Sequence, residues 1–411
     1  EAYSSNGRKS AAEPRVLFKV LIHGYLCGIY SSRKLEEACQ YRIDFRWLLE
    51  DRKAPDHSTL ARFRTGRCRE AVEDLFYQFV RKLEEAGETN HKAVFIDGTK
   101  LESRAGRYTF VWRKSVEKQL TKVKERLKLL TRLTTSAAVR SLLEEAAKGI
   151  EFVSGKGKRK SQAQRDWEEK QSLLERWERY EAMLSTMGEG RGSYSKTDPD
   201  ATFMRLKEDH MRNGQLKPAY NVQIAVNSEY LTGLEVFSDR TDVKTLRPML
   251  NMLSRRHQAR YEEVVADAGY ESLENYLYLE QNGQLCFIKP TNYDQKKTKK
   301  FRKQVGRIEN MKYAPEEDSF TCAQGRKLHL RREATEVRDG QLVSTAWYRC
   351  ENCSGCPHRA QCCRAKAPDK PKEIILKKTF WEKREQATRN IMTERGIQLR
   401  LCRSIQVEGT F

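Results

Sequence analysis

Apolar residues recur with helical spacing in two parts of the chain. From Pro14 onward they repeat every three or four positions, which predicts several short helices over residues 14–90. Longer stripes of the same spacing at Leu120–Leu130 and Leu173–Leu184 predict two helices joined by a Gly-rich basic loop. We therefore predict an all-helical N-terminal domain and, over residues 115–189, a helical-hairpin insertion.

Two short apolar runs show a different pattern, which is typical of buried strands. Ala93–Ile96 and Glu263–Ala266 each consist of four residues, and each is followed by an aspartate, Asp97 or Asp267. Each aspartate also precedes small residues that would let a substrate approach. If the two strands are parallel neighbours, their carboxylates lie side by side at one edge of a sheet.

Strand and helix patterns alternate around these runs. Tyr220–Val226 and Tyr230–Phe237 predict a hairpin, Leu285–Ile288 predicts a further strand, and helical segments lie between them. Residues 91–114 and 190–290 therefore form a predicted α/β core with a mixed sheet, interrupted by the helical insertion.

Charge narrows the choice of partner. The 411 residues carry a formal net charge of +21, and the excess is concentrated after Phe287. A polyanion such as DNA relieves this repulsion through phosphate contacts and counterion release. The basic stretch at Lys296, Lys297, Lys299 and Lys300 is a candidate for such contacts, and arginines in residues 14–90 fit either a DNA-binding or a solvated face.

The chain contains no apolar stretch of the roughly 20 residues that a membrane helix needs. We therefore expect no membrane partner and a cytoplasmic, nucleoid-associated location in a bacterium.

Eleven cysteines are present, and six of them crowd into residues 322–363. This crowding indicates a structural Zn²⁺ site in a basic, Cys-rich insertion over residues 291–376. Cys322, His358 and Cys363 are spare ligands, and an iron–sulfur site or unligated thiols remain open alternatives. The spacing C-x2-C-x2-C-x5-C favours as ligands Cys350, Cys353, Cys356 and Cys362.

The paired aspartates suit metal-dependent phosphodiester chemistry. Two Mg²⁺ ions about 4 Å apart can activate an attacking oxygen and stabilise a leaving one, and about three carboxylates are needed to hold them. Asp97 and Asp267 fit two of these positions. Physical reasoning alone leaves the third open among Glu271, Glu274, Glu394 and Glu408.

Several blocks of the sequence resemble one family over nearly the whole chain. The blocks are Leu21–Tyr25, Ser31–Leu35, Asp97–Lys100, Asp198–Ala201, Tyr220–Val226, Ala266–Tyr270 and Arg403–Gly409. They are similar, in this order, to the DDE transposases of the IS1182 group within the IS4-like superfamily. The resemblance implies an RNase H-like catalytic fold that uses Mg²⁺ or Mn²⁺. It also implies that Asp97, Asp267 and Glu408 are the three catalytic acids.

Two departures from the family pattern matter. The family extends beyond both ends of this chain, so we expect a chain truncated at both ends, with residues 377–411 a helical segment that carries the third acid. In the Tyr-x2-Arg-x3-Glu-x6-Lys signature of related enzymes, Leu401 and Ser404 stand at the Tyr and Arg positions.

The sequence thus predicts a transposase of a bacterial insertion sequence. Hydrolysis would cut an end of the element, and the freed 3′-hydroxyl would attack target DNA at the same site. We expect double-stranded DNA as the partner and a homodimer on DNA. The alternatives are an inactive DNA-binding remnant and a metal-dependent nuclease without strand transfer.

Overall fold

The computed structural model describes residues 13–50, 52–106, 108–155, 159–206, 214–363, 367 and 370–408, with residues 407 and 408 described by their backbone alone. Contacts divide the chain into two compact units, Glu1–Thr89 and Asn90–Phe411.

Helices occur in both units. In chain order they are α1 (Pro14–Leu26), α2 (Ser32–Tyr41), α3 (Ile43–Leu48), α4 (His57–Thr65), α5 (Arg67–Glu85), α6 (Arg113–Thr131), α7 (Ser136–Ala147), α8 (Gln162–Met187), α9 (Leu246–His257), α10 (Leu273–Gln281), α11 (Lys299–Arg302), α12 (Arg359–Cys362), α13 (Lys378–Met392) and α14 (Glu394–Glu408).

The strands of the described residues all lie in the second unit. They are β1 (Ala93–Glu102), β2 (Phe110–Trp112), β3 (Ser193–Ser195), β4 (Thr202–Arg205), β5 (Leu216–Asn227), β6 (Tyr230–Phe237), β7 (Glu263–Ala266), β8 (Leu285–Ile288), β9 (Lys312–Ala314), β10 (Ser319–Thr321), β11 (Lys327–Arg338), β12 (Gln341–Cys350) and β13 (Glu373–Lys377).

The first unit is helical in its described part, as predicted. Pro14 begins α1 at a position where its missing N–H costs nothing. The Asp56 carboxylate caps α4 by accepting the Thr59 N–H at 2.6 Å. The core is formed by buried side chains of α1 to α4, namely Val16, Leu17, Val20, Leu21, Leu35, Ala38, Cys39, Phe45 and Leu60, with Leu49 beside them.

The second unit contains a mixed sheet in an α/β arrangement. Its strand order is β4-β5-β1-β7-β8, and β6 pairs with β5. Strand β1 is antiparallel to β5 and parallel to β7, and β7 is parallel to β8. The hairpin β5–β6 and strands β7 and β8 confirm the sequence predictions.

One strand boundary differs from the prediction. β1 does not end at Asp97 but continues to Glu102. Its parallel partner β7 ends at Ala266, whereas β5 accompanies β1 as far as Glu102 and keeps its backbone hydrogen-bonded. Asp97 therefore lies inside β1, at the level where the parallel neighbour ends.

The helical insertion also differs from the prediction. Its described part contains α6, α7 and α8, so the predicted two-helix hairpin was wrong in omitting a helix. Helices α6 and α8 pack together as predicted. The omitted α7 begins at a Thr135 cap and buries Val139 and Leu143 in the same core. Residues 156–158 of the predicted basic loop lie outside the described residues.

The Cys-rich segment forms an antiparallel sheet of order β13-β12-β11-β10-β9 that the sequence patterns did not predict. Most side chains of β11 are exposed, so this strand lacks the apolar alternation on which a prediction depends.

Two helices complete the second unit. Helix α13 contacts β8 and β12, and α14 contacts β1 and β7. One face of the sheet packs against these helices through Ala93, Phe95, Ile224, Val226, Val265, Phe287, Ile391 and Leu399. No helix in the described part of the chain is both long and apolar enough to cross a membrane.

Candidate active site

The two predicted aspartates are neighbours at one edge of the parallel strand pair. Ile96 of β1 is in register with Ala266 of β7, and the next residues are Asp97 and Asp267. Adjacent strands are about 4.8 Å apart, so the two backbone positions lie side by side. Because side chains two positions apart share a face, Asp97 points to the same side of the sheet as Phe95, toward the face that packs on α14.

Backbone N–H groups orient both carboxylates. Asp97 accepts the N–H of Gly98 at 2.9 Å, and Asp267 accepts the N–H of Gly269 at 2.8 Å. Asp97 is buried, with 7% of its surface exposed, while Asp267 is half-buried at the start of a short 3-10 helix, Ala268–Tyr270. Both carboxylates are thus fixed at the edge of the sheet.

A third carboxylate, which was not predicted from the sequence, lies near this pair. Asp242 lies at the start of a short 3-10 helix, Asp242–Lys244, that precedes α9. Its Oδ1 accepts hydrogen bonds from Asn221 Nδ2 at 2.9 Å and Gln223 Nε2 at 3.2 Å. Both amides are fully buried on one face of β5. They hold Asp242 in a fixed orientation.

Two glycines show how closely these groups approach. A Cβ on Gly98 would lie 2.1 Å from Gln223 Nε2 and 3.2 Å from Asp242 Oδ1. A Cβ on Gly269 would lie 2.9 Å from Asp267 Oδ1 and 3.3 Å from Asp242 Oδ2. The Asp242 carboxylate therefore lies beside Gly98, the residue after Asp97, and beside Gly269, two residues after Asp267. Because neither glycine has a side chain, the carboxylate has the space that it needs.

The side chain of Arg403 brings a positive charge to these acids. Arg403 of α14 forms an ion pair with Asp97, with Nη2 3.1 Å from Oδ2. Its Nε is buried and has no hydrogen-bond partner among the described residues. No role for Arg403 was predicted from the sequence.

The direction of α14 bears on the third predicted acid. Near the start of the helix, Arg395 pairs with Glu263, the first residue of β7, at 2.6 Å, and further along the helix Arg403 reaches Asp97. The helix thus runs along β7 toward the acid cluster. Glu408 comes five residues after Arg403, about 7.5 Å further along the axis. Its side chain lies outside the described residues.

The other candidates for the third acid are placed elsewhere. Glu271 is buried and accepts hydrogen bonds from Arg384 at 2.7 and 2.9 Å, so its oxygens are already occupied. Glu274 forms an exposed ion pair with Arg338 at 3.6 Å. Glu394 is exposed at the opposite end of α14 from Arg403.

The electrostatics of the cluster favour a bound cation. Burial raises the pKa of Asp267, and the nearby charges of Asp97 and Asp242 raise it further, while the Gly269 N–H and Arg403 oppose them. A cation would relieve this crowding of like charges, and carboxylate oxygens are the ligands that Mg²⁺ prefers. In its chemistry, the donor set therefore suits divalent metal ions.

The three carboxylates are spaced more widely than the ligands of a single metal ion. Among the described residues, the oxygens of Asp97, Asp242 and Asp267 do not form a group lying entirely within 4.8 Å. The Arg403 guanidinium instead neutralises part of the cluster.

Tyr270, next to the second aspartate, has a packing role in the structure. It is fully buried, and its hydroxyl donates a hydrogen bond to Gln223 Oε1. Burial, followed by the charges of Asp242, Asp97 and Asp267, raises the pKa of Tyr270 well above its ordinary value. A protonated and hydrogen-bonded phenol is a poor nucleophile.

The basic stretch lies on a short turn and helix after β8. Lys297, Lys299 and Lys300 are exposed, and Lys296 is half-buried with Nζ 3.4 Å from Glu385. Lys297 also stacks over the ring of Tyr293, 4.0 Å from its centre. The exposed ammonium groups remain candidates for phosphate contacts.

The four cysteines of the predicted zinc site and two spare cysteines line one small cavity. All are free thiols. They are Cys322, Cys350, Cys353, Cys356, Cys362 and Cys363.

Two family models match parts of the chain. Residues 1–66 match a transposase domain (DUF772), and residues 321–411 match a transposase DDE domain. No curated protein and no solved structure matches the chain. Asp97 and Asp267 lie between the two matched ranges, and Glu408 lies within the second.

The matches identify the class of protein. Both are to transposase domains, and the chain is a DNA transposase of the DDE type, a class that uses divalent metal ions and acts on DNA. It is an insertion-sequence transposase similar to the IS1182 group, as the resemblance predicted.

Proposed function

We propose that this transposase cuts and joins DNA at a two-metal site formed by Asp97, Asp267 and Glu408, with Asp242 as a further carboxylate. The observation that carries the proposal is the placement of Asp97 and Asp267 side by side on parallel strands. The course of α14, from Glu263 toward Asp97, supports the assignment of Glu408.

The fold assignment belongs to the same proposal. We propose that the mixed sheet and α14 form the RNase H-like core that the family resemblance implies. A central β1 with one antiparallel and one parallel neighbour, and an acid-bearing helix packed on both acid strands, support this assignment.

Mg²⁺ or Mn²⁺ at such a site activates the attacking oxygen and stabilises the leaving oxygen of a phosphodiester. Side chains of the protein position the carboxylates and balance their charge. Asn221 and Gln223 hold the Asp242 carboxylate by Oδ1, which leaves Oδ2 directed toward Gly269. Arg403 contributes a guanidinium that offsets part of the carboxylate charge through its ion pair with Asp97.

Asp242 has a test of its own. In the variant Asp242→Asn the side chain keeps its shape but loses the charge that a metal ion requires. Loss of a residue that only supports a metal ligand lowers activity about 10–100-fold. Because Asp242 would bind the metal itself, we expect a larger fall in metal-dependent cleavage. Asp239→Asn, close by in the chain, is the control. Full activity in Asp242→Asn would exclude Asp242 from the site.

The function itself is tested with a plasmid that carries the DNA flanking both sides of the gene for this protein. We expect the protein to cut the flanking DNA in Mg²⁺ and to join the freed 3′ ends to a second DNA. Asp97→Asn and Asp267→Asn should abolish both steps while DNA binding, measured by gel shift, stays intact. The exposed Asp166→Asn on α8 is the matched control.

Each alternative gives a distinct result. Nicked DNA without joined products would indicate a nuclease without strand transfer. Binding without cleavage would indicate an inactive remnant. Equal loss of DNA binding in Asp97→Asn or Asp267→Asn would contradict a catalytic role. A homodimer on DNA, which we also propose, should appear as a complex with two chains.

A further inference from the structure

A cluster of thiols closes one end of the antiparallel sheet. Cys350 is the last residue of β12 and pairs with Leu328 of β11, which in turn pairs with Phe320 of β10. Cys322 follows β10 in a tight turn, where it accepts the Gly325 N–H at 2.8 Å through its carbonyl oxygen. Cys322 and Cys350 thus lie at the same end of three consecutive strands.

The loop after β12 brings two more thiols to this end. Cys353 lies three residues after Cys350, and Cys362 ends α12. Both pack, half-buried, against the core of the sheet together with Cys322. The loop is held by Arg326, whose Nη1 donates to the carbonyl oxygens of Asn352 at 2.7 Å and Ser354 at 3.1 Å.

These thiols surround a cavity of about 20 Å³. This volume is close to the minimum of about 10–15 Å³ that one water molecule needs, so the cavity suits a single ion. Arg326, Arg359 and Lys372 also line it. Three basic side chains suit the charge of −2 that one Zn²⁺ and four thiolates carry together.

Packing separates four cysteines from the other two. Cys350 belongs to the buried core of this sheet, and Cys322, Cys353 and Cys362 pack against that core. The backbone N–H of Lys372 donates to Cys353 Sγ at 3.3 Å, a contact that stabilises a thiolate. Among the described residues, Cys356 and Cys363 are not part of this packed group.

We infer that Cys322, Cys350, Cys353 and Cys362 bind one structural Zn²⁺ that fixes the loop after β12 to the turn between β10 and β11. This set differs from the sequence-based set in one position, with Cys322 in place of Cys356. Among the described residues no three of these sulfurs all lie within 4.8 Å, so binding pulls the loop inward.

The first measurement is the metal content of the full chain, purified without chelator. We expect one zinc per chain, and a mercurial reagent should release it as four thiols react. Iron with inorganic sulfide, or no metal with all thiols reactive, would overturn the proposal. Replacement of zinc by Co²⁺ should give the charge-transfer and d–d absorption of a tetrahedral four-thiolate site, a readout that needs no variant.

The ligand set is tested by Cys322→Ser against Cys356→Ser. We expect Cys322→Ser to weaken zinc binding by more than about 100-fold, because losing even an outer hydrogen bond costs about 10–100-fold. Cys356→Ser, the matched control, should keep one zinc per chain. The reverse result, with zinc lost in Cys356→Ser and kept in Cys322→Ser, would overturn the assignment. If Cys322→Ser does not fold, the Co²⁺ spectrum of Cys356→Ser still tests the ligand set. A spectrum unchanged from that of the parent protein supports the assignment, and the loss of a thiolate band contradicts it.

Discussion

A buried ion pair connects the acid strands to the helices that pack on them. Glu271, four residues after Asp267, has 1% of its side chain exposed, and Arg384 of α13 has 17% exposed. Arg384 donates two hydrogen bonds to Glu271, which also accepts the N–H of Thr291 at 2.9 Å and the hydroxyl of Tyr276 at 2.9 Å. We therefore expect Arg384→Met, which removes the cation but keeps the bulk, to destabilise the second unit strongly.

The expected loss is about 3–5 kcal/mol in the free energy of unfolding, because Arg384→Met leaves the Glu271 carboxylate buried without its cation. Urea unfolding followed by tryptophan fluorescence measures it, with Trp381 on the same helix as a reporter. Arg389→Met, an exposed position of α13, is the control and should change stability by less than about 0.5 kcal/mol. A loss below about 1 kcal/mol in Arg384→Met would refute the reasoning, because a buried carboxylate without its cation costs several times more.

A second substitution makes the test sharper. Glu271→Gln should destabilise the parent protein, because a charged pair is broken. In the Arg384→Met background it should stabilise, because it removes an uncompensated buried charge. The same sign in both backgrounds would show that the two side chains do not act as a pair.

The same pair predicts a dependence on pH. Burial by itself raises the pKa of Glu271, but hydrogen bonds from Arg384 and Thr291 outweigh it, and the pKa is lowered from 4.5. The stabilisation is therefore present above the ordinary pKa and is lost as the pH falls through the lowered one. Acid titration of unfolding should show a smaller loss of stability below about pH 4.5 in Glu271→Gln than in the parent, and equal losses would contradict the assignment.

The remaining predictions concern the site and its surface. Gly98→Ala would place a Cβ 2.1 Å from Gln223 Nε2, so we expect a loss of about 1–3 kcal/mol in urea unfolding together with reduced cleavage. Gly149→Ala, where the nearest atom would be 3.9 Å away, is the control, and equal behaviour of both variants would contradict close packing at Gly98. Replacing Lys299 and Lys300 by Gln should weaken binding to all DNA sequences alike. The slope of log affinity against log salt concentration should become shallower by about 0.9 for each phosphate that is no longer bound, and an unchanged slope would exclude both lysines from the interface.

Buried strands were the most predictable part of the fold. The structure has β7 and β8 with the predicted bounds. Strand β7 lies inside the sheet, and a strand covered on both faces appears as a continuous apolar run. The sheet around β11 could not be predicted in this way, because most of its side chains are exposed. Helix α7 was missed because its short apolar series lies between two longer stripes.

The candidate site was predictable only in part. Asp97 and Asp267 each follow an apolar run, and this local signal predicted a carboxylate at the end of each run. That the two runs are adjacent in the sheet depends on long-range pairing, which was only a condition of the prediction. Asp242 had a subtler signal in Asn221 and Gln223, two polar residues on one face of an otherwise apolar strand. The ion pair of Arg403 could not be predicted, because it depends on how α14 is rotated against the sheet.

The proposed metal site of Asp97, Asp267 and Glu408, with Asp242 as a further carboxylate, is tested most directly by anomalous diffraction from crystals of the protein with Mn²⁺. We predict a manganese peak within coordination distance of the Asp97 and Asp267 carboxylates, with Arg403 displaced from Asp97. The same map should place the Glu408 side chain beside the ion. A map in which Arg403 remains on Asp97 and no manganese lies between the aspartates would contradict the account.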